Sequence, residues 1–287
     1  MNERGVLMFA HNNEIYDYGK MALASAMTAR AHLPGVPICL VTDPDTWADL
    51  IAKHPVAEEV FSQQIMVDPG SGQQRTFKSF DSSVKATYLN TSRMRALEIS
   101  PFEETLLIDT DVLVFDDSLH QVWGSHADMR MNCDIGRLLR MESRDPHRER
   151  TEVRSIKTYW ATIVYFRKTP AVEKFFKIAE YVLEHYHYYG VLYQYPTGIV
   201  RVDYIFSVAN HIMSGYLEGE YEFAQPLPAS QTFFSWNKDD LVSVDRDVAT
   251  FINRDWTPFP VKVRNTVHAM NKASLLEQAD RIIEIYG

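Results

Sequence analysis

Cysteine is nearly absent: Cys39 and Cys133 are the only two in 287 residues. Two thiols cannot build a disulfide framework or a cysteine-based zinc site, and such usage suits a reducing compartment, so the expected location is the cytoplasm. Long apolar runs are also missing. The apolar stretch nearest the start, Val6 to Ala10, is five residues long, too short for the core of a signal peptide, and no run approaches a membrane span. Positive charge is in deficit, with 29 Lys and Arg against 38 Asp and Glu and a formal net charge of −9. The chain as a whole therefore has no electrostatic footprint for nucleic acid or an anionic bilayer, and a polyanionic partner would need a local patch. No internal repeat or low-complexity linker divides it. What remains is 46% hydrophobic, enough for a substantial core in one domain spanning 1–287.

Read along its length, GVLMFA has the pattern of a buried strand, HNNEIYDYG of a polar turn, KMALASAMTARAH of a helix, and VPICLVTD of a second strand. Strand, loop, helix, strand begins a parallel α/β sheet, in which ligands collect at the carboxyl ends of the strands. His11, Asn12 and Tyr16 fall there. The polar stretch from Ser62 to Ser83 reads as a flexible loop or lid. A helix is expected from about Ser83 to Ile99, carrying Lys85, Arg93 and Arg95, with Pro101 ending it. Residues 137–157 interleave seven Lys or Arg with four Asp or Glu, the pattern of a solvated surface or of a patch for an anionic acceptor. TYWATIVYFRKTP reads as a strand and turn, and AVEKFFKIAEYVLEHY as an amphipathic helix. YHYYGVLYQYP suits a packing surface or a sugar platform. VDYIFSVANHIMSG reads as a helix with Asp203 at its start, where a carboxylate can cap free amides. A strand, VKVRNTVHAM, and a helix from about Ala273 to Tyr286 close the chain.

The chemistry concentrates in TLLIDTDVLVFDDSL. On a strand, Asp109 and Asp111 share one face, and at ~4 Å with an effective dielectric of about 20 two like charges repel by roughly 4 kcal/mol. A cation, a proton or open water must offset that. Asp-x-Asp at the carboxyl edge of a parallel sheet supplies hard oxygen ligands for Mg²⁺ or Mn²⁺, ions that bind through one or two carboxylates plus phosphate oxygens. Far downstream, NTVHAMNKASLLE puts His268 near a strand end and Lys272 four residues later, before a helix. A neutral imidazole can complete a set of oxygen ligands, and a lysine at that offset can neutralise a diphosphate.

The pairing of LLIDTDVLVFDDSL with the later VHAMNK resembles glycosyltransferases of the GT-A fold, in particular the glycogenin-like and galactosyltransferase-like members of family 8. MFAHNNEIYDYGKMALASAM resembles their nucleotide-binding first strand and helix, SRMRALEISPFEETLLIDTDV their arginine-bearing helix before the metal strand, and VDYIFSVANHIMSG the acidic segment beneath the sugar. The resemblance implies an α/β, Rossmann-like, mixed and mostly parallel sheet flanked by helices. Residues 1–117 would be the nucleotide-binding half and 118–287 the acceptor half with the C-terminal metal-ligand segment. It implies a transferase that moves a hexose or pentose from a nucleotide diphosphate sugar, by analogy a UDP-sugar, with retention. Asp109, Asp111 and His268 would bind Mn²⁺ or Mg²⁺. Lys272, with Arg93 or Lys85, would contact the diphosphate, while Ala10, His11, Asn12, Tyr16 and Thr110 would surround the nucleotide. Asp203 and Asp111 would act in catalysis. The acceptor, a glycan, protein, metabolite or modified nucleic acid, is left open.

Two departures stand out: Asp203 is followed by Tyr204 where the family carries Gln, and TYWATIVYF lacks an Asn-x-Gly. No glycine-rich, lysine-bearing loop follows GVLMFA, which argues against a sugar nucleotidyltransferase. Two competing expectations are a phosphohydrolase of the haloacid-dehalogenase type, using Asp109 as nucleophile and Asp111 as general acid, and a non-catalytic nucleotide-sugar-binding module.

Overall fold

The computed structural model describes residues 3–70, 72–78, 83–133, 135–137, 156–219, 222–227, 232–235, 239–246, 248–252, 256–263 and 265–287. Most of the interleaved-charge stretch, 138–155, lies outside the described residues. The chain opens with β1 (Arg4–Phe9), α1 (Tyr18–His32), β2 (Ile38–Thr42), α2 (Pro44–Lys53), α3 (Ala57–Val60) and β3 (Gln63–Met66). A hairpin of β4 (Gln73–Lys78) and β5 (Ser83–Tyr88) follows, then a 3₁₀ turn over Asn90–Arg95, α4 (Ala96–Ile99), β6 (Glu104–Ile108) and β7 (Val112–Val114). Next come β8 (Met129–Asn132), β9 (Ile135–Arg137), β10 (Trp160–Arg167), α5 (Pro170–Glu184), α6 (Tyr186–Tyr193) and α7 (Val202–Met213). The remainder is β11 (Gln225–Pro226), β12 (Thr232–Ser235), a meander of β13 (Asp240–Val244), β14 (Val248–Ile252) and β15 (Pro258–Lys262), then β16 (Thr266–Ala269) and α8 (Lys272–Tyr286).

A seven-stranded sheet in the order β11-β8-β10-β6-β1-β2-β3 forms the centre. β1 runs parallel to β2 and β6, whereas β10 is antiparallel to both β6 and β8, so the sheet is mixed and mostly parallel. Successive side chains of a strand alternate between faces, and both faces are covered. Val6, Met8, Leu40, Leu106 and Ile108 enter one core with α1 and α8, while Leu7, Phe9, Cys39, Val41 and Leu107 enter the other with α5 and α7. This is why β1 and β2 read as unbroken apolar runs rather than as alternating ones.

Local chemistry sets the helix starts. Asp17 caps α1 by accepting from the Lys20 amide at 2.8 Å, and Asp43 caps α2 by accepting from Thr46 at 2.8 Å, with Pro44 opening that helix. α1 is buried along most of its length, and its alanines permit close packing. Its two hydroxyls matter more. Ser25 donates to the Val112 carbonyl at 2.5 Å, and Thr28 accepts from the Val114 amide at 3.0 Å. β7 is the edge of a second sheet, β7-β16-β12-β9, so α1 satisfies the polar backbone that no strand pairs.

Four sequence expectations change. Asp109 and Asp111 are not on one strand face: Asp109–Asp111 is a turn in which the chain leaves the central sheet at Ile108 and enters the second sheet at Val112, closed by Val112 N–H to Asp109 C=O at 3.1 Å. The Ser62–Ser83 stretch, expected as a loop, holds β3 at the sheet edge and β4 of the hairpin; its polar residues suit strands half exposed to water. The helix expected over Ser83–Ile99 is β5, a 3₁₀ turn and the single turn of α4, because Ser83–Tyr88 pairs in register with Gln73–Lys78. VKVRNTVHAM is split by Asn265 at φ 62° into β15 and β16, which lie in different sheets.

Candidate active site

The Asp109–Asp111 turn is held from both sides by main chain. The Asp109 amide donates to the Thr162 carbonyl of β10 at 2.8 Å, and the Ala269 amide at the end of β16 donates to the Asp111 carbonyl at 2.8 Å. The site is thus anchored where the two sheets meet, beyond the carboxyl end of β6. A cavity of about 300 Å³ opens there. Its wall includes Asp109, Thr110, Asp111, Asp203, His268 and Lys272 together with Arg93 and Tyr16.

Three carboxylates face three cations. Asp111, on the Lys272 ammonium, also meets His268, whose Nε2 lies 3.3 Å from its Oδ1. Lysine at the first position of α8 opposes the helix dipole; Asn271 caps the helix, and the ion pair with Asp111 compensates. Asp109 pairs with Arg93, a nearly fully buried guanidinium whose Nη2 also donates to the Ala161 carbonyl at 2.6 Å. Asp203 accepts from the Ala161 amide at 3.0 Å and pairs with Arg201 at 2.9 Å. Its carboxylate therefore caps no amide of α7, whose start carries no side-chain cap; it ties α7 to β10 instead.

Burial works against the charged form of Asp111, but the Lys272 ammonium and His268 overcome it and hold the carboxyl well below the usual range. Asp109 moves the other way, pushed up by burial and by the charge of Asp111 against the pull of Arg93. Two acids this close divide in this manner, one firmly ionised and the other less so. Burial also opposes ionisation of Asp203, and Arg201 with the Ala161 amide reverses this to a lowered value. Lys272 is raised by Asp111 in spite of its burial.

The donor set of two carboxylates and an imidazole suits an oxygen-preferring divalent ion. Asp111 and His268 face each other at about the separation of two ligands on one ion of that kind, and His268 Nδ1 is buried without a hydrogen-bond partner among the described residues. Asp109 is turned to Arg93, and among the described residues no three His, Cys, Asp or Glu side chains converge on one point as they stand. The residues thus fit such an ion in kind, with Asp111 and His268 facing each other while Lys272 and Arg93 sit on Asp111 and Asp109 as competing cations.

Other candidates from the sequence lie elsewhere. Lys85 is exposed on β5 and does not line the cavity. Ala10, His11 and Asn12 do not line it either. Buried His11 bonds Asp43 at 3.0 Å, and Asn12 accepts the Gly19 amide at 2.9 Å while its own amide donates to Thr46. These residues brace the first turn rather than present side chains to the cavity. Conversely, Arg75, Tyr88, Trp160 and Arg201 line it and were missed. Arg75 lies over the Tyr88 ring at 3.6 Å and donates to the Val200 carbonyl at 2.7 Å, which ties the hairpin to the segment before α7. The one available signal was Arg201, two residues before Asp203.

A mixed, mostly parallel sheet and a second sheet entered through Asp-x-Asp give a fold of the GT-A type. The solved galactosyltransferase LgtC, in complex with donor and acceptor sugar analogs, superposes with a TM-score of 0.55 at 14% identity over 99% of this chain and 95% of that one. An active-site mutant of LgtC gives 0.53 at 14% identity over 98% and 94%. At such identity the likeness is one of fold. No family model matches the sequence, and no curated protein matches it. No helix among the described residues is long and apolar enough to cross a membrane.

Proposed function

We propose that this protein transfers a sugar from a nucleotide diphosphate sugar, a UDP-sugar, to an acceptor, with retention and with Mn²⁺ or Mg²⁺. The observation that carries the reading is the single cavity wall on which Asp111, His268 and Lys272 meet although 161 residues separate Asp111 from Lys272. Transfer breaks the bond between the anomeric carbon and the diphosphate, so negative charge gathers on the leaving phosphate and positive charge on the sugar ring. Lys272 and Arg93, whose side chains are 17% and 4% exposed, would stabilise the former as fixed charges. Asp203, held by Arg201 and the Ala161 amide, carries a fixed negative charge suited to the latter. Asp109, Asp111 and His268 would hold the divalent ion, which when bound supplies Lewis-acid stabilisation of the diphosphate. A phosphohydrolase would need Asp109 free as a nucleophile, and the Arg93 guanidinium is on it.

The test is a thermal-shift screen of nucleotide sugars with Mn²⁺, followed by hydrolysis of the best binder. Asp111→Asn is expected to remove metal-dependent turnover with the fold intact. Unchanged turnover at saturating Mn²⁺ would end the proposal, and stabilisation without turnover would favour a binding module.

A further inference from the structure

The sixteen residues from His185 to Val200 contain no Asp, Glu, Lys or Arg. They form α6 and the segment returning after it, and together with α5 and the residues after α7 they leave large rings in water. Tyr188 is 63% exposed, Tyr181 on α5 53%, and Tyr216 after α7 64%. The rings are contiguous. Tyr189 lies 5.3 Å from Tyr188, 6.4 Å from Tyr181 and 6.2 Å from Tyr193, the last pair stacked. Tyr193 meets His211 at 5.7 Å, and His211 meets Tyr216 at 5.6 Å. An aromatic ladder therefore crosses the surface from α5 over α6 to the end of α7.

The ladder is rigidly joined to the cavity. At Gly190 an added Cβ would fall 2.0 Å from Thr197 Cγ2, so only glycine lets the return segment lie against α6. Tyr195 then donates to the Tyr186 carbonyl at 3.1 Å, and the Tyr186 hydroxyl donates to the Ile199 carbonyl and accepts from the Arg201 amide, each at 3.1 Å. Ile199 and Arg201 line the cavity. Exposed apolar patches of this kind mark binding surfaces. Between His185 and Val200 no Lys or Arg is present, so that part of the ladder offers no fixed positive charge to a polyanion or an anionic bilayer. A tyrosine presents a flat apolar face and a polar tip, the same division a neutral sugar ring has between its C–H face and its hydroxyl edge.

We propose that this ladder is a carbohydrate-binding surface that holds a neutral glycan chain of the acceptor beside the cavity rim; the acceptor role rests on the transferase reading above. The test is affinity electrophoresis in gels cast with amylose, glucomannan or hydroxyethyl cellulose, without donor or metal. At least one polymer is expected to retard the protein, and the Tyr181→Ala/Tyr188→Ala double variant to weaken that binding about tenfold. Both side chains are exposed, so the variant should melt with the parent. Val191→Ser, an exposed aliphatic change on the same helix, should leave retardation within about twofold. Nucleotide-sugar hydrolysis should be equal in all variants, which separates the two readings: retardation without hydrolysis in any of them would sink the transferase and keep the surface. Retardation by none of the polymers, or equal retardation of parent and double variant, overturns the surface. So does flotation with phosphatidylcholine vesicles, or a concentration-dependent dimer, that the double variant abolishes.

Discussion

Replacing Arg93 should destabilise the protein by breaking a buried ion pair from one side. The guanidinium is 4% exposed and serves two partners, the Asp109 carboxylate and the Ala161 carbonyl. Arg93→Met keeps most of the volume and removes the charge and the donors. It leaves Asp109 beside Asp111 with no cation of its own and one main-chain carbonyl without its donor. Breaking a buried pair from one side costs ~3–5 kcal/mol. The Asp109 side chain is 26% exposed, so water can reach it and the lower end applies. A loss of about 3 kcal/mol, at ~2–4 °C per kcal/mol for a chain of this size, lowers Tm by about 6–12 °C. Asp109→Asn alone leaves Arg93 buried without its counter-charge and should cost about 2 kcal/mol. The double variant removes both charges and should cost about 3 kcal/mol rather than the ~5 kcal/mol of the two single losses added, a coupling of about 2 kcal/mol by urea denaturation of the four proteins in the cycle. Additivity within ~0.5 kcal/mol would refute the account, since the two side chains would then not be each other's principal partners.

Two further outcomes can be measured. Asp203→Asn keeps the acceptor for the Ala161 amide and loses the charge facing Arg201, so stability should fall by no more than ~1 kcal/mol. Turnover of the nucleotide sugar should drop at least ~10²-fold with donor affinity nearly unchanged, and isothermal titration showing that affinity collapses instead would contradict a role in the transfer step. His11 is wholly buried, and burial lowers its pKa below the ordinary 6.5 despite the bond to Asp43. The unfolded chain therefore binds the proton more readily, and stability must fall as pH drops from about 6.5 toward 5. His11→Gln should flatten that part of the pH–stability curve measured by urea denaturation; an unchanged slope would show that the imidazole is not its source.

Much of the frame was legible. GVLMFA, VPICLVTD, TYWATIVYF and the helices after them carry period and propensity over long stretches, and burial on both sheet faces leaves nothing to contradict the pattern. The errors fell where structure depends on a partner. Ser83–Tyr88 is a strand because Gln73–Lys78 lies against it; Val84, Thr87 and Tyr88 favour strand, but Lys85 and Ala86 favour helix and six residues are too few to decide. Asp109 and Asp111 flank a turn rather than share a strand face because β6 and β7 pair with different sheets, and pairing is a long-range property. The same reason hid Arg75: a polar hairpin looks like a loop until its guanidinium is seen over Tyr88 and on Val200.

The residue types and their local order settled the α/β alternation and the presence of two acids, an imidazole and a lysine. Tertiary structure alone decided which cation answers which acid. Local sequence fixes backbone preference over a few residues, whereas the choice of Lys272 for Asp111, Arg93 for Asp109 and Arg201 for Asp203 depends on which side chains share a low-dielectric wall once the sheets have closed.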